Sequence, residues 1–204
     1  VGHRQEVVRA IFERAAGEFE DVRIDFVEQA EQLGTGHATQ CAQPVLEGFG
    51  GDVFVLVGDG PLVRSETLAA LHDRHRAAGA DATLATARVA DPTGYGRIVR
   101  DEAGSFVGIV EEKDASDAQR AITEINPSIY CFRAPALFEA LGRVRRSGAS
   151  GEYYLTDVPA ILQEGGGAVE VAEAASAEDA LSVNTPEQLA QVDAALRERI
   201  GATR

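Results

Sequence analysis

The stretch LVGDGPL, residues 56–62, ends an apolar run on Gly58 and Asp59. Pro61 has no amide hydrogen to offer a ladder, so the run cannot simply continue as a strand. In doubly wound sheets, ligands bind beyond the carboxyl ends of the strands. A carboxylate placed there can hold a divalent cation that also takes phosphate oxygens. Asp59 is therefore a candidate metal ligand; an Asp capping the following turn is the alternative for this stretch alone. Asn184, in SVNTPEQL, is a second oxygen donor, standing between the short apolar run ALSV and a helix. Its side-chain carbonyl suits a hard cation, although an Asx turn opening the helix is the simpler reading of this residue by itself.

Other groups could recognise an organic ligand. GYGR, residues 94–97, brackets Tyr95 with glycines, and Gly96 would allow close backbone approach to a ligand or a bend into a hairpin. VEEKDA, residues 110–115, offers Glu111 and Glu112 for sugar hydroxyls and Lys113 for phosphate, against the alternative of a solvated charge run. Asn126 in EIN could read the polar groups of a sugar or pair with backbone at a bulge. Residues 28–40, EQAEQLGTGHATQ, crowd Gln29, Gln32 and Gln40 around Gly34-Thr35-Gly36, more than an ordinary connection needs. Such a loop suits a flat polar ligand met at close range by backbone. Tyr153 and Tyr154 in GEYYLTD read as packing residues. His72 and His75 lie on one helical face without a third ligand at metal spacing, so a half-buried amphipathic face is the expectation. Phosphate loops of the G-x-x-x-x-G-K-[ST] and G-x-G-x-x-G types, nucleophile elbows and zincin motifs are absent.

The elements that must position these residues follow from periodicity. A helix is predicted over 3–16 from Val7, Val8, Ile11 and Phe12, and a strand over 22–29 from the alternation in VRIDFVEQ. HATQCAQPVLEG predicts a helix ending near Gly48. DVFVLVGD (52–59) predicts a strand buried on both faces. A helix over 65–79 and a strand in DATLATARV come next. GYGRIVRDEAGSFVGIVEEK holds two strands flanking DEAG, a hairpin signal. A short helix near 115–121, a strand in INPSIYCF and helices at 134–146 and LTDVPAILQEG follow, then a strand in AVEVAEA. In the last helix Thr185 can N-cap, Pro186 suits the first position and Gln188 completes a capping box, with an apolar stripe of Leu189, Val192, Leu196 and Ile200. Alternating strands and helices predict an α/β fold with a doubly wound, mostly parallel sheet and a small β-hairpin insertion, all in one domain.

Composition narrows the chemistry. Hydrophobic residues make up 45% and charged residues 25% of 204, which is ordinary for a globular chain. The net charge of −14 repels nucleic acid and anionic membranes, and a carboxylate-rich protein that handles phosphates needs a cation between them. No apolar run reaches membrane-span length and no signal-peptide core opens the chain. Cys41 and Cys131 read as buried thiols of a reducing cytoplasm.

Taken together and in order, EQLGTGHA, GDGPL, DPTGYGRIVRD, IVEEKDA, EIN, GEYYLTD and VNTPEQL resemble the uridyltransferase domain of the bifunctional N-acetylglucosamine-1-phosphate uridyltransferases, from about residue 2 to residue 192. The resemblance implies a Rossmann-like nucleotidyltransferase fold. It also implies transfer of uridylyl from UTP to N-acetylglucosamine 1-phosphate with Mg²⁺, yielding UDP-N-acetylglucosamine and pyrophosphate for cell-wall synthesis. By motif, Gln29, Gly34 and Thr35 would hold uracil, and Val57 and Gly58 would line the nucleotide's sugar. Asp59 and Asn184 would hold Mg²⁺, and Gly96, Glu111 and Asn126 would contact the amino sugar. An aromatic often stands in the family where this chain has Val57. The family's first strand and Gly-rich loop with its lysine, which bind base and triphosphate, are expected to be lacking from residues 1–204, as is the acetyltransferase β-helix domain. On that expectation turnover is weak or nil, and an open sheet edge invites self-association. Two other readings remain at this level: a non-catalytic UDP-sugar-binding remnant and a nucleotide-sugar glycosyltransferase. The second is disfavoured because Asp59 is followed by Gly60 and Pro61 rather than completing an Asp-x-Asp.

Overall fold

The computed structural model describes residue 2, residues 5–15 and residues 22–202. Helix α1, Gln5–Arg14, precedes an irregular stretch over 22–29. Then come α2, Thr35–Gln40, a 3-10 turn at Gln43–Leu46, strand β1, Asp52–Leu56, and α3, Ser65–Ala78. Strands β2, Ala82–Ala85, β3, Ala87–Arg88, β4, Gly96–Arg100, and β5, Phe106–Val110, lead to the one-turn helix α4, Asp117–Arg120. Strands β6, Glu124–Asn126, and β7, Ile129–Arg133, precede α5, Ala134–Leu141. A 3-10 turn at Leu155–Asp157 opens into α6, Val158–Glu164, followed by β8, Val169–Ala172, and α7, Pro186–Ala202.

Two four-stranded sheets result. The main sheet has the order β1-β7-β2-β8, with β7 antiparallel to both β1 and β2, and β2 parallel to β8. Strands β1, β2 and β8 therefore point one way and β7 the other, so the sheet is mixed, with one parallel and two antiparallel ladders. Side-chain alternation assigns its two faces. Ala82, Leu84, Tyr130 and Phe132 join Leu137, Leu141 and Val158 of α5 and α6 in one core. Ala85, Ile129 and Cys131 join Leu71 of α3 in the other. The second sheet, β3-β6-β4-β5, is wholly antiparallel and contains the predicted β4–β5 hairpin. Ile98 and Phe106 of that hairpin share the first core with α5 and α6, so the two sheets are fused through one apolar interior.

Several expectations change. Residues 22–29 belong to no strand of either sheet, because alternation makes a strand only where a neighbouring strand completes the ladder. β1 is not buried on both faces: Phe54 is 40% and Leu56 43% exposed, and β7 is its sole ladder partner among the described residues. INPSIYCF is not one strand but the end of β6 and most of β7, lying in different sheets. Pro127 cannot donate, and Ser128 adopts a left-handed φ of 58°, the one such non-glycine value among the described residues. The apolar stripes of the outer helices are also less used than their spacing suggests. Val192 is buried in α7 while Leu189, Leu196 and Ile200 are exposed, and no residue of α1 is fully buried. The capping box of α7 forms as read, with Gln188 N–H donating to Thr185 Oγ1 at 3.2 Å and Thr185 N–H to Gln188 Oε1 at 3.1 Å.

The contrast between the two main-sheet phenylalanines is testable. Phe132 is wholly buried on the central strand, so Phe132→Ala should cost about 3–5 kcal/mol in urea unfolding. Phe54→Ala, on the open face of β1, should cost about 1 kcal/mol or less.

Candidate active site

The end of β1 runs into Val57-Gly58-Asp59. β7 runs antiparallel to β1, with Ile129 opposite Leu56, so the β6–β7 turn is delivered to this same end of the sheet. In the second sheet Gly96 of β4 lies opposite Asn126 of β6. The result is a cleft of about 320 Å³ lined by Val57, Asp59, Gly96, Glu111, Asn126 and Asn184, all six predicted from sequence. An adjoining cavity of about 590 Å³ is lined by Thr35, Val57, Gly58, Asp59, Glu111 and Thr156, among others. Val57, Asp59, Glu111 and Ser128 border both.

Each lining group has a definable state. The Asp59 carboxylate makes no hydrogen bond or ion pair with the described residues, while its backbone carbonyl accepts from Val183 N–H at 2.9 Å. Asn184 donates from Nδ2 to Ser182 Oγ at 3.2 Å, and its backbone N–H donates to Gln188 Oε1 at 2.7 Å, leaving the amide oxygen for other use. Glu111 accepts from Thr156 Oγ1 at 2.8 Å. Burial pushes its carboxyl above the usual carboxylate range, against the Thr156 hydrogen bond and aided by Asp157, Asp114 and Glu152. Asn126 is buried and held in place: Nδ2 donates to Tyr130 Oη at 2.6 Å and Oδ1 accepts from Ser128 N–H at 3.2 Å, with one N–H and one lone pair of the amide not used by these bonds. A Cβ on Gly96 would lie 2.9 Å from Ile109 Cγ2 and 3.7 Å from Glu111 Oε2, so glycine keeps this wall open.

The Gly-Thr-Gly loop has a different explanation from the one its composition suggests. Gly34 has φ 102°, and a Cβ there would sit 2.6 Å from the Tyr153 carbonyl oxygen. Gly36 N–H donates to that carbonyl at 2.8 Å, Tyr153 N–H donates to Leu33 O at 2.8 Å, and Leu155 N–H donates to Thr35 Oγ1 at 3.1 Å. The close backbone approach is thus made to residues 153–155 of the chain itself. Gln29 donates from Nε2 to Gly34 O at 3.1 Å and lies 3.2 Å from His37 Nδ1; neither Gln29 nor Gly34 lines the two cavities, whereas Thr35 does.

Of the acidic run, Glu112 is a clamp. It accepts from Arg97 Nη2 at 2.6 Å and from Gly94 N–H at 3.2 Å, and Lys113 is exposed away from both cavities. His72 and His75 face Asp52 at 3.2 and 3.5 Å, and no group of three or more His, Cys, Asp or Glu gathers among the described residues. Asp59 and Asn184 each bring to the cleft lining a side-chain oxygen that makes no hydrogen bond with the described residues. Sequence reasoning missed Thr156, Ser128, Tyr95 and Asp179. Tyr95 donates from its hydroxyl to Ala180 O at 2.9 Å, joining the hairpin to the segment before Asn184. Thr156, Tyr95 and Asp179 each act on a partner distant in sequence, which nothing local marks, and Ser128 is set apart by its left-handed backbone.

Comparison with known proteins places this geometry. The family profile described as nucleotidyl transferase matches residues 3–180. The bifunctional protein GlmU of Pelotomaculum thermopropionicum is 51% identical over 172 residues, covering 84% of this chain and 38% of that protein. The bifunctional protein GlmU of Shouchella clausii is 44% identical over 200 residues, covering 98% of this chain and 42% of that protein. The chain thus spans about two fifths of the length of these relatives. A crystal structure of UDP-glucose pyrophosphorylase complexed with UDP-glucose superposes with a TM-score of 0.68 at 13% identity, covering 97% of this chain and 79% of that one, a likeness of fold. With most of its length matched by the family profile and its cleft at the carboxyl end of the sheet, this chain belongs to the nucleotidyl transferase family.

Proposed function

We propose that this chain is the uridylyl-transferring domain of an N-acetylglucosamine-1-phosphate uridyltransferase. It joins UTP to N-acetylglucosamine 1-phosphate to give UDP-N-acetylglucosamine and pyrophosphate, in the cytoplasm and in support of cell-wall synthesis. One observation carries the reading: Asp59, Gly96, Glu111, Asn126 and Asn184, drawn from five separate segments, line a single cleft. The names of the GlmU relatives and of the UDP-glucose pyrophosphorylase neighbour support the substrate class.

In this reading an oxygen of the sugar phosphate attacks the α-phosphorus of UTP in line, and the bond to the bridging oxygen of pyrophosphate breaks. No protein nucleophile is needed, so the residues position and neutralise. The cavity lined by Thr35, Val57 and Gly58 takes the uridine, with Gln29 and Gly34 holding its wall. Glu111 and Asn126 face the amino sugar, with Gly96 leaving room for it. Asp59 and Asn184 would hold Mg²⁺, which would offset the charge of the triphosphate. A chain of net charge −14 with a free carboxylate in its cleft would otherwise repel that ligand.

Two outcomes test the assignment. Calorimetry with UTP and Mg²⁺ should detect binding by the chain, and a pyrophosphate-release assay with N-acetylglucosamine 1-phosphate reads its turnover. Asp59→Asn should weaken Mg²⁺-dependent binding by about 10- to 100-fold without loss of fold. Absence of any uridine-nucleotide binding by the unaltered chain would refute the reading. The second outcome concerns Glu111. A carboxyl whose folded pKa lies above its unfolded value binds its proton more tightly when folded, so its contribution is greatest at low pH and declines as pH rises through the folded value. Glu111→Gln should therefore gain stability relative to the unaltered chain at pH 8 and lose that gain at pH 4, measured by urea unfolding at the two pH values.

A further inference from the structure

Asp179 lines the cleft at 1% exposure, yet the proposed reaction gives it no ligand to hold. Its carboxylate accepts six hydrogen bonds. Three come from Arg64, from the backbone N–H at 3.1 Å, Nε at 3.1 Å and Nη2 at 2.7 Å. The others come from Thr67 Oγ1 at 3.1 Å and from Ser176 N–H and Oγ at 2.7 and 2.9 Å. Burial alone would raise its pKa, but the Arg64 guanidinium and the Ser176 donors hold it down to about 2. Asp179 is thus a fixed anion at the N-terminus of α3, gripped in a two-toothed fork.

The partners lie in two loops. Arg64 closes the loop that leaves Asp59, and Ser176 and Asp179 open the loop that ends at Asn184. The Val183 N–H to Asp59 carbonyl bond carries the tie to the ligating ends, and Tyr95 adds the hairpin wall through Ala180 O. Arg199 of α7 makes a second bridge, to Leu62 O at 3.0 Å and to half-exposed Glu178 at 2.8 Å. An ion pair open to water at its acidic end holds less firmly than the buried one.

We propose that Asp179 is a positioning residue that fixes the Asp59 loop and the Asn184 loop at one separation, so that their two oxygen donors face the same point of the cleft. The identity of the ligand rests on the uridylyl-transfer reading; the coupling of the two loops does not. The geometry explains why an Arg–Asp fork stands beside the cleft: a ligand shared by two loops is only as well placed as the loops are joined.

The test uses Asp179→Asn, Arg64→Ala and Arg64→Lys in the full chain. The control is Asp81→Asn, which removes a comparable buried-side carboxylate (bonded to Arg133 and Ala168 N–H) at the opposite end of the sheet. Hydrogen exchange at the Val183 amide should quicken at least about tenfold in Asp179→Asn and Arg64→Ala, while amides of β2 and β7 keep their protection. In the control, Val183 should be unchanged. The dissociation constant for UTP with Mg²⁺ should rise about 10- to 100-fold in the same two variants and change little without Mg²⁺. Arg64→Lys should recover part of the loss, since it keeps the charge but not the fork. Unaltered Val183 exchange, loss of protection spread equally over β2 and β7, or loosened loops with undiminished UTP affinity would each overturn the proposal. If the unaltered chain binds no UTP, the uridylyl-transfer reading falls and Val183 exchange alone decides the loop coupling. If Asp179→Asn or Arg64→Ala fails to fold, Arg64→Lys carries the test, because it keeps a cation opposite the buried carboxylate while removing the fork; Val183 exchange and UTP affinity equal to those of the unaltered chain would then overturn the proposal.

Discussion

The architecture depends on strand β7 being bonded on both edges and buried on both faces. Its residues from Ile129 to Phe132 are at most 1% exposed, and they alternate between the two cores. Running against β1 and β2, β7 begins where those strands end. That reversal brings Asn126, Pro127 and Ser128 beside Val57 and Asp59. A parallel β7 would have placed the same residues at the far end of the sheet. The Asn126–Tyr130 hydrogen bond then ties the cleft wall to the strand's own core side chain. Ser128's left-handed backbone, of a kind that costs of order 1–3 kcal/mol, sits where such strain clusters.

Charge is distributed on the same plan. Around the cleft the buried or half-buried cations are already matched: Arg97 with Glu112, Arg100 with Glu124, Arg64 with Asp179. These pairs shape loops and strand edges, and they leave little positive charge to offer an anion. Asp59 and Glu111 remain without a cationic partner among the described residues, one bare and one held by a hydroxyl. A cleft so built draws in a cation or a neutral polyol more readily than a bare phosphate. The proposed function would meet this with a nucleotide that arrives with its metal and a sugar read through its hydroxyls.

The residues legible in the sequence were those whose role is local or whose motif is contiguous. Thr185 and Gln188 cap α7 because the box closes within four residues, and the β4–β5 hairpin follows from its turn. Asp59, Gly96, Glu111, Asn126 and Asn184 were legible through their motifs and do converge on one cleft. The failures share a cause. Whether 22–29 becomes a strand, or whether β1 is covered on both faces, is decided by partners elsewhere in the chain. Asp179 reaches Arg64 across 115 positions and Thr156 reaches Glu111 across 45, separations that no local pattern announces.

The Gly34-Thr35-Gly36 loop shows what such a misreading leaves behind. Its glycines answer to the Tyr153 backbone, so their presence says nothing by itself about a ligand. Yet the same contacts fix the loop before any ligand arrives: Leu33, Thr35 and Gly36 are each bonded to residues 153–155, and Gln29 braces Gly34 from the other side. Thr35 then reaches the cavity from a wall that is already set. Asn126, locked by Tyr130 and Ser128, reaches the cleft in the same condition. Binding to such walls does not have to order them, and the free energy of contact is not offset by that entropy. In the proposed function the glycines would serve recognition indirectly, by letting one part of the chain hold another still.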